Sequence, residues 1–168
     1  LCMSFSAMQN PYVLTDLVGE MDTILAAHLP PGDRDLVISC EGISGHLPGW
    51  SQVESYAAAP ITASYLSLYL AERFPGAEQM FVLTTRETEG WLWSAWRHHL
   101  MSHRLTDDFA TFAPRIRPAA DLNAVAAEVA AAIAPVATFV LPLEEAATHP
   151  QGPGGALIEV LDLPGALR

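Results

Sequence analysis

Residues 81–101 read FVLTTRETEGWLWSAWRHHLM, a sequence that indicates a strand followed by a helix. It begins with a short apolar run, β-branched in part, that is typical of a strand covered on both faces, so residues 80–85 are predicted to form a strand of a parallel sheet. Residues 87–104 have the longer apolar period of a helix and are rich in aromatic side chains. Arg86 stands between the two, at the carboxyl end of the strand, where such sheets bind ligands.

Apolar strands separated by helical patterns extend over the rest of the chain. The alternation predicts a three-layer α/β/α domain with a mostly parallel sheet and right-handed crossovers. The length of 168 residues fits one domain, residues 1–168. The further predicted strands are residues 35–40 and 138–141, and the further predicted helices are residues 14–28, 61–74, 107–112, 122–134 and 155–161.

Composition restricts the class of protein. Hydrophobic residues make up 51% and charged residues 16%, which indicates a packed globular chain. The net charge of −11 argues against a nucleic-acid-binding or anionic-membrane surface. All eight basic residues are arginine, so the GxxxxGK[ST] phosphate loop and Schiff-base chemistry are excluded for these residues. The apolar stretch 124–143 contains Glu128 and Pro135 and is better explained as a helix followed by a strand than as a membrane span.

Cysteine usage and the first residues bear on location. Cys2 and Cys40 are far apart in the sequence, so a disulfide framework is not expected and a reducing, cytoplasmic location is the expectation. The first eight residues have neither the basic start nor the cleavage pattern of a signal peptide.

Arg86 and Ser94 form the sharpest candidate site. Ser94 lies about two turns into the helix that follows Arg86, so a guanidinium and a hydroxyl could converge on one group. That pair suits a phosphate or sulfate oxyanion. The alternative is that Arg86 forms a surface salt bridge with Glu89 and that Ser94 is a tolerated helical serine.

At these two positions the sequence resembles the sulfotransferase family. Its members carry a strand ending in arginine and a serine eight residues later, in a pattern like RNPxDxxxS. Glu87 and Thr88 stand here where the family has asparagine and proline. The segments DLVISCEGISG, residues 35–45, and FVLPLEEAATHPQGPGGALIEVLDLP, residues 139–164, resemble the bacterial branch of the family. The resemblance therefore covers residues 35–164.

The resemblance implies a P-loop NTPase-like fold and an activity. Arg86 and Ser94 would bind the 3′-phosphate of the sulfate donor PAPS, and the sulfuryl group would pass to a hydroxyl or amine of a small-molecule or carbohydrate acceptor without a metal. The family's lysine-bearing loop, which holds the 5′-phosphosulfate, is not found in these residues. Either a leading strand–loop–helix unit is lacking, the explanation we favour because the chain opens on Leu1 rather than methionine, or the fold is kept without the chemistry.

Sulfuryl transfer needs a general base within hydrogen-bond reach of the acceptor. Glu41, at the carboxyl end of predicted strand 35–40, is the first candidate and matches the glutamate of the family's SxE pattern. His46, in the glycine-rich loop that follows, is the second. The alternatives are that Glu41 caps a helix or pairs with an arginine and that His46 is an ordinary loop histidine.

The predicted helix 87–104 also carries three histidines. His99 and His103 are four residues apart and so share a face, a spacing that can hold a metal. With no acidic or cysteine ligand at a fixed offset, a solvated polar face that includes His98 is the better interpretation, and no metal is expected. The aromatic set at positions 91, 93 and 96, with Leu100, is interpreted as core packing, and Trp50 as lining the loop. Residues 86–104 carry a net charge of +1, against −12 for the rest, so the acidity lies around the candidate anion site.

Three other functions stay open. The first is a non-catalytic binding module on the same fold, and the second is a P-loop nucleotide or metabolite kinase. Asp35 precedes its predicted strand rather than ending it, which disfavours the kinase. The third is a purely structural or interaction protein, because fold does not determine function. The sequence leaves the oligomeric state open.

Overall fold

The computed structural model describes residues 1–29, 32, 34–50, 52–102 and 105–163. Within these ranges the protein is a mixed α/β structure, mostly helical, with a small parallel sheet of two strands. Two 3₁₀ helices, Glu41–Ser44 and Arg117–Ala120, join the regular elements. In chain order the elements are α1 Cys2–Met8, α2 Tyr12–His28, α3 Ala59–Arg73, β1 Met80–Thr85, α4 Thr88–Ser102, α5 Phe109–Ile116, α6 Leu122–Ile133, β2 Ala137–Pro142, α7 Leu143–Ala146 and α8 Gly152–Val160.

The two strands are those that the apolar pattern predicts at residues 80–85 and 138–141. They pair in parallel, with Met80 opposite Ala137 and Thr85 opposite Pro142. Parallel pairing in this register brings both carboxyl ends to one edge of the sheet. Arg86 and the first turn of α7 therefore leave the sheet side by side.

The predicted strand at residues 35–40 is wrong. Residues 34–40 have no regular secondary structure and lie exposed, with Leu36, Val37 and Ile38 at 40%, 52% and 37% of full exposure. An apolar run supplies the side chains of a buried strand, but a strand also needs a neighbour to pair with its backbone. Among the described residues only β1 and β2 pair, and they pair with each other, so the sheet is smaller than the sequence predicts.

The predicted helices form with shifted ends. Helix α4 begins at Thr88, and the predicted end at Arg104 lies outside the described residues. Helix α5 runs from Phe109 to Ile116 rather than 107–112, because the Asp108 carboxylate accepts the Thr111 N–H at 2.8 Å and sets the first turn. Helices α1 and α7 are short and were not predicted.

The apolar stretch 124–143 is resolved into α6 and β2, as the helix-then-strand interpretation expects. No helix within the described ranges combines the length and the apolar character needed to cross a membrane.

Two packed clusters support the elements on either side of Arg86. The first joins α4 to α5 through Leu92, Phe112 and Ile116, all without solvent exposure. The second packs α3 and α6 against the sheet through Phe81 and Leu83 of β1. The first cluster thus supports α4 and the second supports β1, the two elements that Arg86 and Glu87 join.

Candidate functional site

Arg86 follows β1 directly and lies half-buried along the first turn of α4. Its Nε atom is 3.2 Å from the point that a β-carbon at Gly90 would occupy. That separation is tighter than an ordinary carbon contact, so the guanidinium has room beside the helix because residue 90 lacks a side chain. The Glu87 carboxylate lies even closer to the same point, so Gly90 acts as a cradle for the side chains of both Arg86 and Glu87.

Ser94 lies on the same face of α4 as Gly90, since the two are four residues apart. Ser94 is exposed, and its backbone lies about 6 Å further along the helix axis than that of Gly90. A phosphate that accepts hydrogen bonds of about 2.8 Å from each side spans a gap of this order. The structure thus brings Arg86 and Ser94 to one helix face, with Gly90 between them.

The first turn of α4 is capped by the chain's own carboxylate. Glu87 accepts the N–H of Glu89 at 2.9 Å and, at closer range, the N–H of Gly90. These amides are the ones that a bound anion would otherwise use at a helix N-terminus.

Glu89 pairs with Arg117 and not with Arg86, so the predicted alternative of an Arg86–Glu89 salt bridge is wrong. Arg117 donates from both terminal nitrogens, at 2.6 and 3.3 Å. Hydrogen bonds from Arg117 lower the pKa of Glu89. The pair ties the 3₁₀ helix Arg117–Ala120 to α4 and leaves the Arg86 guanidinium to other partners.

A second carboxylate reaches this turn from α7, the helix that follows β2. Glu144, in α7, accepts the N–H of Glu87 at 3.1 Å. That backbone hydrogen bond is the main cause of its lowered pKa, and the positive charge of Arg86 adds to the effect. Arg86 therefore shares this turn with the carboxylates of Glu87 and Glu144, whose negative charges partly offset its positive charge.

Glu41 is exposed and opens the 3₁₀ helix Glu41–Ser44. Its charge acts on Tyr56, whose pKa is raised to about 12 by burial above all, with Glu41 adding to the rise and a hydrogen bond from Trp91 opposing it. The rings of Tyr56 and Trp91 meet edge to face, with centroids 6.1 Å apart. Glu41 thus lies within electrostatic range of a phenol that packs on α4.

His46 lies in the loop that follows and stacks on Trp50, with ring centroids 4.0 Å apart. Its backbone N–H donates to the Ser6 hydroxyl of α1 at 2.8 Å. The stacking confirms that Trp50 lines this loop.

His99 corrects the prediction of a solvated histidine face. It is 2% exposed, and its Nε2 donates to the Pro48 carbonyl at 3.0 Å. This hydrogen bond anchors the glycine-rich loop to α4. His98 is exposed as expected, and His103 lies outside the described residues. Within the described ranges, no three His, Cys, Asp or Glu side chains form a group that could hold a metal ion.

The aromatic residues of α4 divide into a buried and an exposed part. Trp91 is 7% exposed, as core packing predicts. Trp93 is 47% exposed and stacks on Phe109 with ring centroids 3.9 Å apart, and Leu100 is 43% exposed, so the core interpretation is wrong for these two. Trp96 is half-buried and donates its indole N–H to the Asp107 carbonyl at 3.1 Å.

Three residues of the site were missed by the sequence argument. A glycine in the first helical turn after a strand is a signal for Gly90, because interior helix glycines usually have a packing reason. Tyr56 and Glu144 carry no such signal, since they reach the site from distant parts of the chain. Arg86 lies beside Gly90 of α4, and Ser94 lies one turn further along that helix, whereas Glu41 acts on α4 through Tyr56.

Comparison with protein-family models, curated proteins and solved structures gives no match to this chain. What the site can do therefore rests on its chemistry. A guanidinium and a hydroxyl on one exposed helix face can hold an oxyanion, and the two carboxylates beside them limit its charge.

Proposed function

We propose that this protein is a PAPS-dependent sulfotransferase with a P-loop NTPase-like, three-layer fold, acting in the cytoplasm on a hydroxyl or amine of a small-molecule or carbohydrate acceptor. The observation that carries the proposal is the placement of Arg86 over Gly90, one helical turn from the exposed Ser94 hydroxyl. The sequence resemblance supplies the identity of the anion, the 3′-phosphate of PAPS.

The residues present fit that phosphate. Arg86 offers a planar fork of donors that matches a phosphate in geometry and charge, and Ser94 offers a hydroxyl donor. Bound PAPS would supply the sulfuryl group. The chain's part is to fix the nucleotide, since positioning is the main source of rate for such a transfer.

Glu41 is the proposed general base and His46 the second choice. The Glu41 side chain is exposed, whereas the His46 ring is stacked on Trp50. An activity assay of Glu41→Gln beside His46→Gln separates them, because loss of the base lowers the rate by about 10²–10⁴-fold and loss of the other does not.

The binding step is tested with adenosine 3′,5′-bisphosphate in isothermal titration calorimetry. Removing a charged hydrogen bond costs about 1.5–3 kcal/mol, so Arg86→Ala should weaken binding roughly 10- to 100-fold. Arg97→Ala, which removes an exposed arginine further along α4, is the matched control and should bind nearly as the parent does. Equal losses in both variants would contradict a specific role for Arg86.

Replacing Glu87 is expected to raise the affinity for the bisphosphate, whereas replacing Arg86 lowers it. The Glu87 carboxylate competes with a bound phosphate for the first amides of α4 and repels it. Glu87→Gln should therefore tighten binding of adenosine 3′,5′-bisphosphate. Weaker binding in this variant would mean that the phosphate does not approach this turn.

A non-catalytic binding module is the second candidate, favoured by the absence of lysine from the 168 residues. The two functions share the 3′-phosphate site but differ in turnover. Transfer of labelled sulfate from PAPS to an acceptor supports the enzyme, and binding without transfer across a panel of hydroxyl and amine acceptors supports the module. Preference for ATP over adenosine 3′,5′-bisphosphate would instead indicate a kinase.

A further inference from the structure

The two cysteines of the chain lie at the junction between α1 and the segment that precedes the glycine-rich loop, although 37 residues separate them. Cys2 is the first residue of α1 and is half-buried. Cys40 is exposed and directly precedes the 3₁₀ helix Glu41–Ser44. Both are free thiols.

Helix α1 packs closely on this junction. The point that a β-carbon at Gly42 would occupy lies 3.5 Å from the Met3 sulfur and 4.0 Å from the Cys40 Sγ atom. A β-carbon at Gly45 would lie 2.6 Å from the Cβ of Ser6, and the Ser6 hydroxyl accepts the next backbone N–H of the loop at 2.8 Å. Side chains of α1 therefore lie against the segment that directly follows Glu41.

The charge of Cys40 also affects the pKa of Cys2. Burial raises the pKa of Cys2, the positive N-terminus opposes that rise, and the charge of Cys40 adds to it. Met3, the residue next to Cys2, and the Cys40 Sγ atom both lie beside Gly42, so the two cysteines belong to the same contact between α1 and the loop. Cys2 and Cys40 are thus a pair of neighbouring thiols, one exposed and one shielded.

We propose that Cys2 and Cys40 form a reversible disulfide that fastens α1 to the segment carrying Glu41 and His46. Oxidised glutathione is the oxidant. The exposed Cys40 thiolate attacks it, forms a mixed disulfide and releases one reduced glutathione. The Cys2 thiolate then attacks the Cys40 sulfur, closes the protein disulfide and releases the second. The protein loses two protons and two electrons, and the oxidant becomes two glutathione thiols.

The proposal does not depend on the sulfotransferase assignment. The full chain is incubated with oxidised glutathione and studied by intact mass and non-reducing peptide mapping. The expected product has lost two hydrogen atoms and joins the peptides of Cys2 and Cys40. Its thermal unfolding midpoint rises, because the crosslink restricts the unfolded chain, and dithiothreitol reverses the rise.

Cys2→Ser is the matched control. It should stop at the mixed disulfide, with one glutathione retained on Cys40. If the parent chain also retains glutathione on Cys40, or if its cysteines join only between two chains, the proposal is overturned. An unchanged free-thiol count after prolonged oxidation would overturn it as well.

Discussion

Replacing Gly90 with alanine tests the cradle that positions Arg86. The added methyl group would lie 3.2 Å from Arg86 Nε and closer still to the Glu87 carboxylate, so both side chains would have to move. A displaced charged hydrogen bond costs at least about 1.4 kcal/mol, which is a tenfold loss of affinity. Gly90→Ala should therefore bind adenosine 3′,5′-bisphosphate at least about tenfold more weakly than the parent.

Stability provides a second readout of the same change. In an open helical position, glycine to alanine stabilises a protein by roughly 1 kcal/mol. Gly19 of α2 is such a position, because nothing lies within 4 Å of its added methyl group. Gly19→Ala should show that gain in urea unfolding. Gly90→Ala should lose most or all of it, since moving the Glu87 cap costs about 0.5–2 kcal/mol.

The two readouts together can refute the cradle. If Gly90→Ala binds the bisphosphate as tightly as the parent and gains as much stability as Gly19→Ala, Arg86 does not depend on the space at residue 90. Circular dichroism of both variants shows whether a loss of binding reflects loss of fold.

Three other predictions concern the surroundings of the site. Glu41→Gln should lower the pKa of Tyr56 from about 12, which is measured by the absorbance of ionised tyrosine. Burial raises this pKa in the folded state. The stability that Tyr56 contributes is therefore complete below pH 10 and is lost as the pH rises towards 12. An unchanged Tyr56 titration would place Glu41 elsewhere. His99→Ala should lower the free energy of unfolding in urea by roughly 2 kcal/mol, since it opens a cavity and removes the donor to the Pro48 carbonyl. An unchanged free energy of unfolding would contradict the anchoring of that loop. Gly155→Ala should destabilise α8, because its methyl group would overlap the His149 imidazole. Gly154→Ala should not, because the space around that position is open. Equal unfolding midpoints for the two variants would contradict the packing of Gly155 on His149.

The elements that the sequence predicts correctly are those with a local signal. Residues 80–85 carry the whole apolar pattern of a buried strand, and the helical period of α4 follows at once. Segment 35–40 carries an equally strong pattern but fails, because pairing depends on a neighbouring strand that local sequence does not reveal. Element type is thus readable from periodicity, and sheet membership is not.

The candidate site divides in the same way. The spacing of Arg86 and Ser94 on one strand–helix unit could be predicted, since a helix fixes where its residues point. The Arg117–Glu89 pair spans 28 residues, and the Glu144–Glu87 hydrogen bond spans 57, so neither could be inferred from spacing. His99 appeared to belong to a polar face, and only the tertiary contact with Pro48 explains why it is buried.

Arg86 is proposed to recognise a 3′-phosphate. The most direct test compares a ligand that carries this phosphate with one that lacks it, in the parent chain and in a variant that lacks the guanidinium. Calorimetry gives the affinity ratio of adenosine 3′,5′-bisphosphate to adenosine 5′-phosphate for the parent chain and for Arg86→Ala. We expect the parent to prefer the bisphosphate by about tenfold or more and this preference to fall towards unity in Arg86→Ala. The same ratio in both proteins, or no preference in the parent, would contradict it.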